Sequence, residues 1–181
     1  MENLDWKRKA PTEVTKVGRR IIVTKTFELP DGTVETFDIK EPDEVEDVSV
    51  IALTSQRKAL VVNIFRPGPE KMMQEIPGGR VDRNENPAAA AERELREETG
   101  YKVGSIAYLG YCQYDAYTNG KRHYFLATDC EPSGEGQKLD IEEQLTVEEI
   151  SIEQLIANAM QARMTDPGAV LLAYDELLKR I

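Results

Sequence analysis

The sequence predicts an α+β fold in which a mixed sheet lies between helices. Two observations carry that expectation. Runs of β-branched and apolar residues alternate irregularly with helical stretches, without a regular β-α-β repeat. One strong helical segment, residues 86–100, has strand-like runs on both sides, and two more helices close the chain. At 181 residues the chain is long enough for one sizeable core, or for one core and a small accessory module.

The elements follow in order. Residues 18–39 read as a β-hairpin. The run from Arg20 to Phe27 is β-branched, Pro30-Asp31-Gly32-Thr33 is a turn signal, and 34–39 alternate apolar with polar residues. Residues 40–47 are nearly all acidic and contain Pro42, which suggests a linker, so a boundary is expected near residue 46. Strands are expected at 48–53 and 59–65, joined by a short polar loop, and Arg66-Pro67-Gly68-Pro69 reads as a further loop. The central helix has Asn86 as N-cap, Pro87 at its first position, the high-propensity run Ala88 to Ala91, and Gly100 as its stop. Strands follow near 105–115, 121–128 and 144–150. Helices are expected at 152–163 and 167–179, the last with Leu171, Leu172, Tyr174, Leu177 and Leu178 as its apolar stripe. The expected domains are therefore 1–46, a small antiparallel module, and 47–181.

Charge narrows the function. There are 33 Asp+Glu against 23 Lys+Arg, a formal net charge of −10. An acidic chain of this kind is not expected to bind nucleic acid generally, because a polyanion needs a basic footprint. The basic residues Lys7, Arg8, Lys9, Lys16, Arg19 and Arg20 cluster near the start. No apolar run approaches the roughly 18 residues that span a bilayer, and the opening residues do not read as a signal peptide. Cys112 and Cys130 are too few for a disulfide framework and have no metal-ligand spacing, so they read as reduced thiols. A cytoplasmic setting is expected.

The segment 78–101 carries the chemistry. Glu94, Glu97 and Glu98 stand at i, i+3 and i+4, which puts three carboxylates on one helical face. Like charges so stacked repel, and hard oxygen ligands suit Mg²⁺, with Mn²⁺ as a substitute. Taken alone, such a face is ordinarily just solvated. Gly78-Gly79 just before it is expected to make a sharp turn and bring backbone carbonyls to the same place. The surrounding spacing decides the matter. Gly79, Glu85, Arg93, Glu94, Leu95, Glu97, Glu98 and Gly100 fit the pattern G-x(5)-E-x(7)-R-E-U-x-E-E-x-G-U, where U is bulky and aliphatic. Only Tyr101 departs, being aromatic at the last position.

By this box the chain resembles the Nudix hydrolases, which cleave nucleoside diphosphates linked to another moiety. The resemblance extends to Val61–Pro67, to Glu75-Ile76-Pro77-Gly78-Gly79, to Tyr124-Phe125-Leu126-Ala127 and to the Leu29-Pro30-Asp31-Gly32 turn, and points to the branch acting on ADP-ribose and nucleotide sugars. It implies a Nudix fold, a sheet sandwiched α/β/α, with a small N-terminal sheet domain that forms a homodimer. It implies that Glu94, Glu97 and Glu98 bind metal and take part in catalysis, with the Gly78 carbonyl as a further ligand. Glu85 and Arg93 brace the loop against the helix, with Gly79 and Gly100 as structural positions. Arg66 contacts substrate, a role suited to its planar fork, and Arg80 and Tyr117 are assigned to substrate as well. Glu143, on a late acidic loop, is the expected extra ligand or general base, with Asp140 and Glu142 as neighbours that could take its place. His123 reads as a structural or surface residue.

The expected reaction is metal-assisted hydrolysis of a pyrophosphate bond in ADP-ribose or a nucleotide sugar, giving a nucleoside monophosphate and a sugar phosphate. A dinucleoside polyphosphate is the alternative substrate: Tyr117 or Tyr114 could match a tyrosine common in that group, and no proline lies between Pro87 and Pro132. A non-catalytic nucleotide sensor is an alternative of another class, but no glutamate of the box is lost.

Overall fold

A computed structural model describes residues 5–18, 20–141 and 143–181, with backbone only at 10, 11 and 41–44. Its elements are β1 (Lys7–Val17), β2 (Arg20–Glu28), β3 (Val34–Thr54), β4 (Lys58–Arg66), β5 (Lys71–Glu75), β6 (Gly78–Arg80), α1 (Pro87–Thr99), β7 (Tyr101–Lys102), β8 (Ser105–Gln113), β9 (Thr118–Pro132), β10 (Leu145–Ser151), α2 (Ile152–Met160) and α3 (Pro167–Leu178). The chain divides into two units. One is Met1–Val45 with Cys112–Lys121, and the other is Glu46–Tyr111 with Arg122–Ile181.

In the first unit β2 pairs antiparallel with both β1 and the beginning of β3. The β2–β3 turn closes through Leu29 N–H to Thr33 O at 2.8 Å, with Gly32 at φ 85°, a conformation that glycine adopts freely. Trp6 and the β-strand residues Phe27 and Phe37 stack their rings, with Trp6 5.3 Å from Phe37. Strand β1 was not expected, because KRKAPTEVTKV has almost no apolar residue to reveal its period. Its ladder shifts register between Lys9 and Glu13, around Pro11, which has no N–H to give. The expected linker at 40–47 is instead strand. β3 runs straight through it, and from Asp47 onward it pairs with β6. Acidic composition suggested solvation there, but backbone pairing outweighs it.

The second unit explains why its strands read as nearly continuous apolar runs: both faces are covered. On β3, Val48, Val50 and Ala52 face one side while Ile51 and Leu53 face the other. Phe125 and Ala127 alternate in the same way with Tyr124 and Leu126 on β9. The first face packs on Ala90, Ala91 and Leu95 of α1. The second packs on Leu155 and Ile156 of α2 and on Ala169, Val170, Ala173 and Leu177 of α3. The result is the expected α+β arrangement, with a sheet between helices. The β4 strand is central, pairing with β3, β5 and β10. Among the described residues no helix is long and apolar enough to cross a membrane.

The expected stripe of α3 is corrected. Leu177 is fully buried, but Leu171 is 76% exposed, and Leu172, Tyr174 and Leu178 also face outward. The buried face uses Ala169, Val170 and Ala173, small residues that let the helix sit close to the sheet. With apolar residues on both faces, periodicity alone could not choose the side. Leu177→Ala is therefore expected to cost about 2–5 kcal/mol in urea unfolding, whereas Leu171→Ala should stay within about 0.5 kcal/mol. Equal losses at both positions would contradict this packing.

Candidate active site

The site grows from α1. The Asn86 side chain accepts from Ala88 N–H at 2.8 Å, Pro87 opens the helix, and Gly100, at φ 75°, ends it by donating its N–H to Arg96 O. The helix buries Ala90, Ala91 and Leu95, and with them two carboxylates: Glu98 is 5% exposed and Glu94 is 9%. This is not a solvated acidic face. The one-turn spacing of Glu94 and Glu98 carries both into the space between α1 and β6.

That space exists because residues 78 and 79 are glycines. The expected sharp turn is absent; Gly78–Arg80 forms the short strand β6 against Asp47, Val48 and Ser49 of β3. The glycines instead allow close approach. A Cβ on Gly79 would overlap the Glu94 carboxylate, and one on Gly78 would overlap the Val48 carbonyl. The Gly78 N–H donates to Glu98 Oε2 at 2.9 Å.

Arg93 ties the assembly together. It forks onto Glu85 through Nε (3.0 Å) and Nη2 (2.9 Å), and its Nη2 also donates to Arg80 O at 2.9 Å. Its Nη1 donates to Glu94 Oε1 at 2.8 Å and Glu97 Oε2 at 3.1 Å. Glu85 also accepts from Asp82 N–H, so the loop before α1 is fastened to the helix. Arg93 holds the Glu85 carboxyl below its usual range. From the other end, the 133–138 loop caps α1. Ser133 N–H, Gln137 Nε2 and Lys138 N–H donate to the carbonyls of Gly100, Glu98 and Glu97.

Burial dominates the electrostatics. It pushes the Glu98 carboxyl up to about 8, against the favourable Gly78 N–H and with added repulsion from Glu94 and Glu143. Burial also raises Glu94, which Arg93 only partly offsets.

Beside these groups lies a cleft of about 520 Å³. Of the residues expected in the site, Arg66, Gly78, Gly79, Arg80, Glu98 and Glu143 line it. Arg66 is already engaged, its Nε and Nη2 forked onto Glu75 at 2.8 and 2.6 Å. Glu143 is set by a turn in which its N–H donates to Asp140 O and its carboxylate accepts from Asp140 N–H. Asp140 does not line the cleft, and Glu142 lies outside the described residues. Tyr117 belongs to the first unit, where its ring is 6.3 Å from Phe37. His123 is held by Tyr108 OH at 3.0 Å and Glu46 at 3.2 Å, away from the cleft. Cys130 is buried, which pushes its thiol up to about 11, and Cys112 is exposed.

Sequence reasoning missed one group in the cleft. Arg122 Nη1 donates to Asp166 Oδ1 at 2.6 Å, and its Nη2 lies 3.7 Å from Asp47. Ser49 Oγ donates to Asp166 Oδ2 at 3.2 Å. Asp47 is raised by burial, tempered by Arg122 and Arg80. The only signal was Asp166 before Pro167, which reads as an ordinary N-cap. Asp166 does hold that position, but its side chain makes no capping bond.

The donor chemistry fits a hard divalent cation. Glu94, Glu97 and Glu98 each give one carboxylate oxygen to Arg93 or Gly78 and keep the other outside those bonds. Among the described residues no three His, Cys, Asp or Glu side chains converge as a finished cage. Arg93 draws Glu94 and Glu97 toward itself, while Glu98 is drawn to Gly78.

Comparison with known proteins agrees with this geometry. A family model for the NUDIX domain matches residues 43–171. The chain is 29% identical over 158 residues to an ADP-ribose pyrophosphatase of Bacillus subtilis, covering 86% of this chain and 84% of that one. It is 28% identical over 158 residues to a methanol dehydrogenase activator of Bacillus methanolicus, covering 84% of each. A crystal structure of an ADP compounds hydrolase superposes with a TM-score of 0.84 at 20% identity over the full length of both chains, which speaks for the fold. With the box glutamates carried on α1, the box arginine seated on them, and the family match spanning most of the sequence, the chain belongs to the Nudix hydrolase family.

Proposed function

We propose that this enzyme hydrolyses the pyrophosphate bond of ADP-ribose or a related nucleotide sugar, with Mg²⁺ as cofactor and Mn²⁺ as a substitute. The observation that carries this reading is the charge of the cleft. Five carboxylates (Asp47, Glu75, Glu98, Glu143, Asp166) face it against three guanidiniums (Arg66, Arg80, Arg122). Even with Glu98 protonated, four acids face three guanidiniums, so the cleft has no net attraction for an anionic diphosphate unless cations come with it. The relative from Bacillus subtilis, matched over most of both chains, supports the choice of substrate.

In this reading Glu94, Glu97 and Glu98 hold the metal through their remaining oxygens, with the Gly78 carbonyl beside them. A divalent cation, when bound, supplies positive charge to the diphosphate and acidifies water. The chain's own residues do the rest. Arg66, steadied by Glu75, and Arg80 orient the phosphates. Glu143 takes a proton from the attacking water. The new P–O bond forms as the bridging P–O bond breaks, and nucleoside monophosphate and sugar phosphate leave. Arg93 and Glu85 keep the glutamates in place. We assign the first unit to homodimer formation, which its exposed Val14, Val17 and Val34 support.

Four outcomes are expected. With Mg²⁺, ADP-ribose gives nucleoside monophosphate and ribose phosphate in a product assay, and excess chelator stops the reaction. Full activity in chelator would refute the metal-dependent reading. Glu98→Gln lowers turnover by orders of magnitude while circular dichroism stays native. The same variant separates charge from shape. Because the Glu98 pKa rises from 4.5 in the unfolded chain to about 8 in the fold, the metal-free protein should lose stability as pH rises between those values. In Glu98→Gln that part of the slope disappears in thermal melts, and an unchanged slope would show that Glu98 is not the group responsible. Sedimentation of the intact chain is expected to give a dimer; a monomer at all concentrations would remove the role assigned to the first unit.

A further inference from the structure

Glu143 stands at the cleft on the loop 133–144, between β9 and β10. With Gly134 and Gly136 both at positive φ, the first half of this loop has little stiffness of its own. Its course is taken from the end of α1 instead. Tyr101 pairs with Pro132 just before the loop, and Ser133 N–H donates to Gly100 O at 2.8 Å. Lys138 N–H donates to Glu97 O at 2.8 Å, and Gln137 reaches across through Nε2 to the backbone carbonyl of Glu98. The two surfaces meet closely. A Cβ on Gly100 would stand 3.1 Å from the carbonyl carbon of Gly136, so the box glycine both ends the helix and admits the loop.

Gln137 differs from the other two anchors. Ser133 and Lys138 donate backbone N–H groups, which any residue except proline would supply there. The Gln137 donor is a side chain, so that bond depends on the identity of the residue. Its acceptor belongs to Glu98, whose carboxylate faces the cleft. From Gln137 the chain proceeds directly to the cleft. Leu139 packs against Val62, Ile64 and Leu145, and the turn between Asp140 and Glu143 follows.

We propose that Gln137 is a positioning residue: by tying the loop to the Glu98 backbone, it sets where Glu143 stands relative to the glutamates of α1. Gln137 does not line the cleft and acts through Glu143. This role rests on the reading above, in which Glu143 takes the proton from the attacking water.

The test is a double-mutant cycle in the whole protein with Mg²⁺ and ADP-ribose, using Gln137→Met and Glu143→Gln. Methionine keeps the length of the side chain and removes its N–H donor. Gln137→Met alone is expected to lower kcat about fivefold, the size of one neutral hydrogen bond, with KM unchanged. In the Glu143→Gln background it should lower kcat no further, because its route runs through the missing carboxylate. In the metal-free protein, amide hydrogen exchange of 133–141 should quicken in Gln137→Met while α1 keeps its protection. Gln137→Ala, judged in the same way, replaces it if that protection is lost. An unchanged kcat, an effect on KM instead, the same loss with and without the Glu143 carboxylate, or unchanged exchange of the loop would overturn this inference alone. Wild-type turnover in Glu143→Gln, or no turnover in the wild type, would overturn the reaction assigned above and this role with it.

Discussion

A carboxylate removed from water is costly unless something compensates it, and Glu98 places that cost at the centre of the structure. It is buried on α1, where the backbone N–H of Gly78 donates to its carboxylate. Much else follows from keeping it there. Positions 78 and 79 lack side chains because the helix carboxylates and the β3 backbone occupy that space. Arg93 spends its whole fork on Glu85, Glu94, Glu97 and the Arg80 carbonyl, so the loop, the short strand and the helix form one rigid piece. The 133–138 loop closes the end of α1 with three donors, and the same acidic loop then leads to Glu143 at the cleft.

The arginines divide the work by how they are paired. Arg93 is a brace. Arg66 is held by Glu75 in a bidentate fork, which fixes its direction and raises its own pKa. Arg122 is balanced by two aspartates. None of these pairings leaves the cleft positive, so in the proposed reaction cations would have to come with an anionic substrate.

Much of this was legible in the sequence, for identifiable reasons. The central helix announced itself through Asn86, Pro87 and Gly100, all local signals. The apolar strands at 48–53 and 59–65 showed because burial on both faces leaves only Ser49 and Asn63 as polar gaps. The box glutamates were found by spacing, and their burial was not needed to find them. What stayed hidden depends on tertiary context. β1 is polar and borrows its structure from β2. The acidic stretch 40–47 became strand through pairing that composition does not encode. The buried side of α3 was chosen by small residues, Ala169 and Ala173, over its larger leucines. Asp166 holds the N-cap position of α3, and its pairing with Arg122, 44 positions away in sequence, shows only in the fold.

The proposed chemistry requires the glutamates of α1 to hold a divalent cation. The most direct measurement is titration of Mn²⁺ into the protein, followed by electron paramagnetic resonance of the ion remaining free. If Glu98 is a ligand, the wild type depletes the free Mn²⁺ signal saturably and Glu98→Gln does so far more weakly, with Mg²⁺ displacing the bound ion. Equal Mn²⁺ uptake by wild type and Glu98→Gln, or none by either, would contradict it.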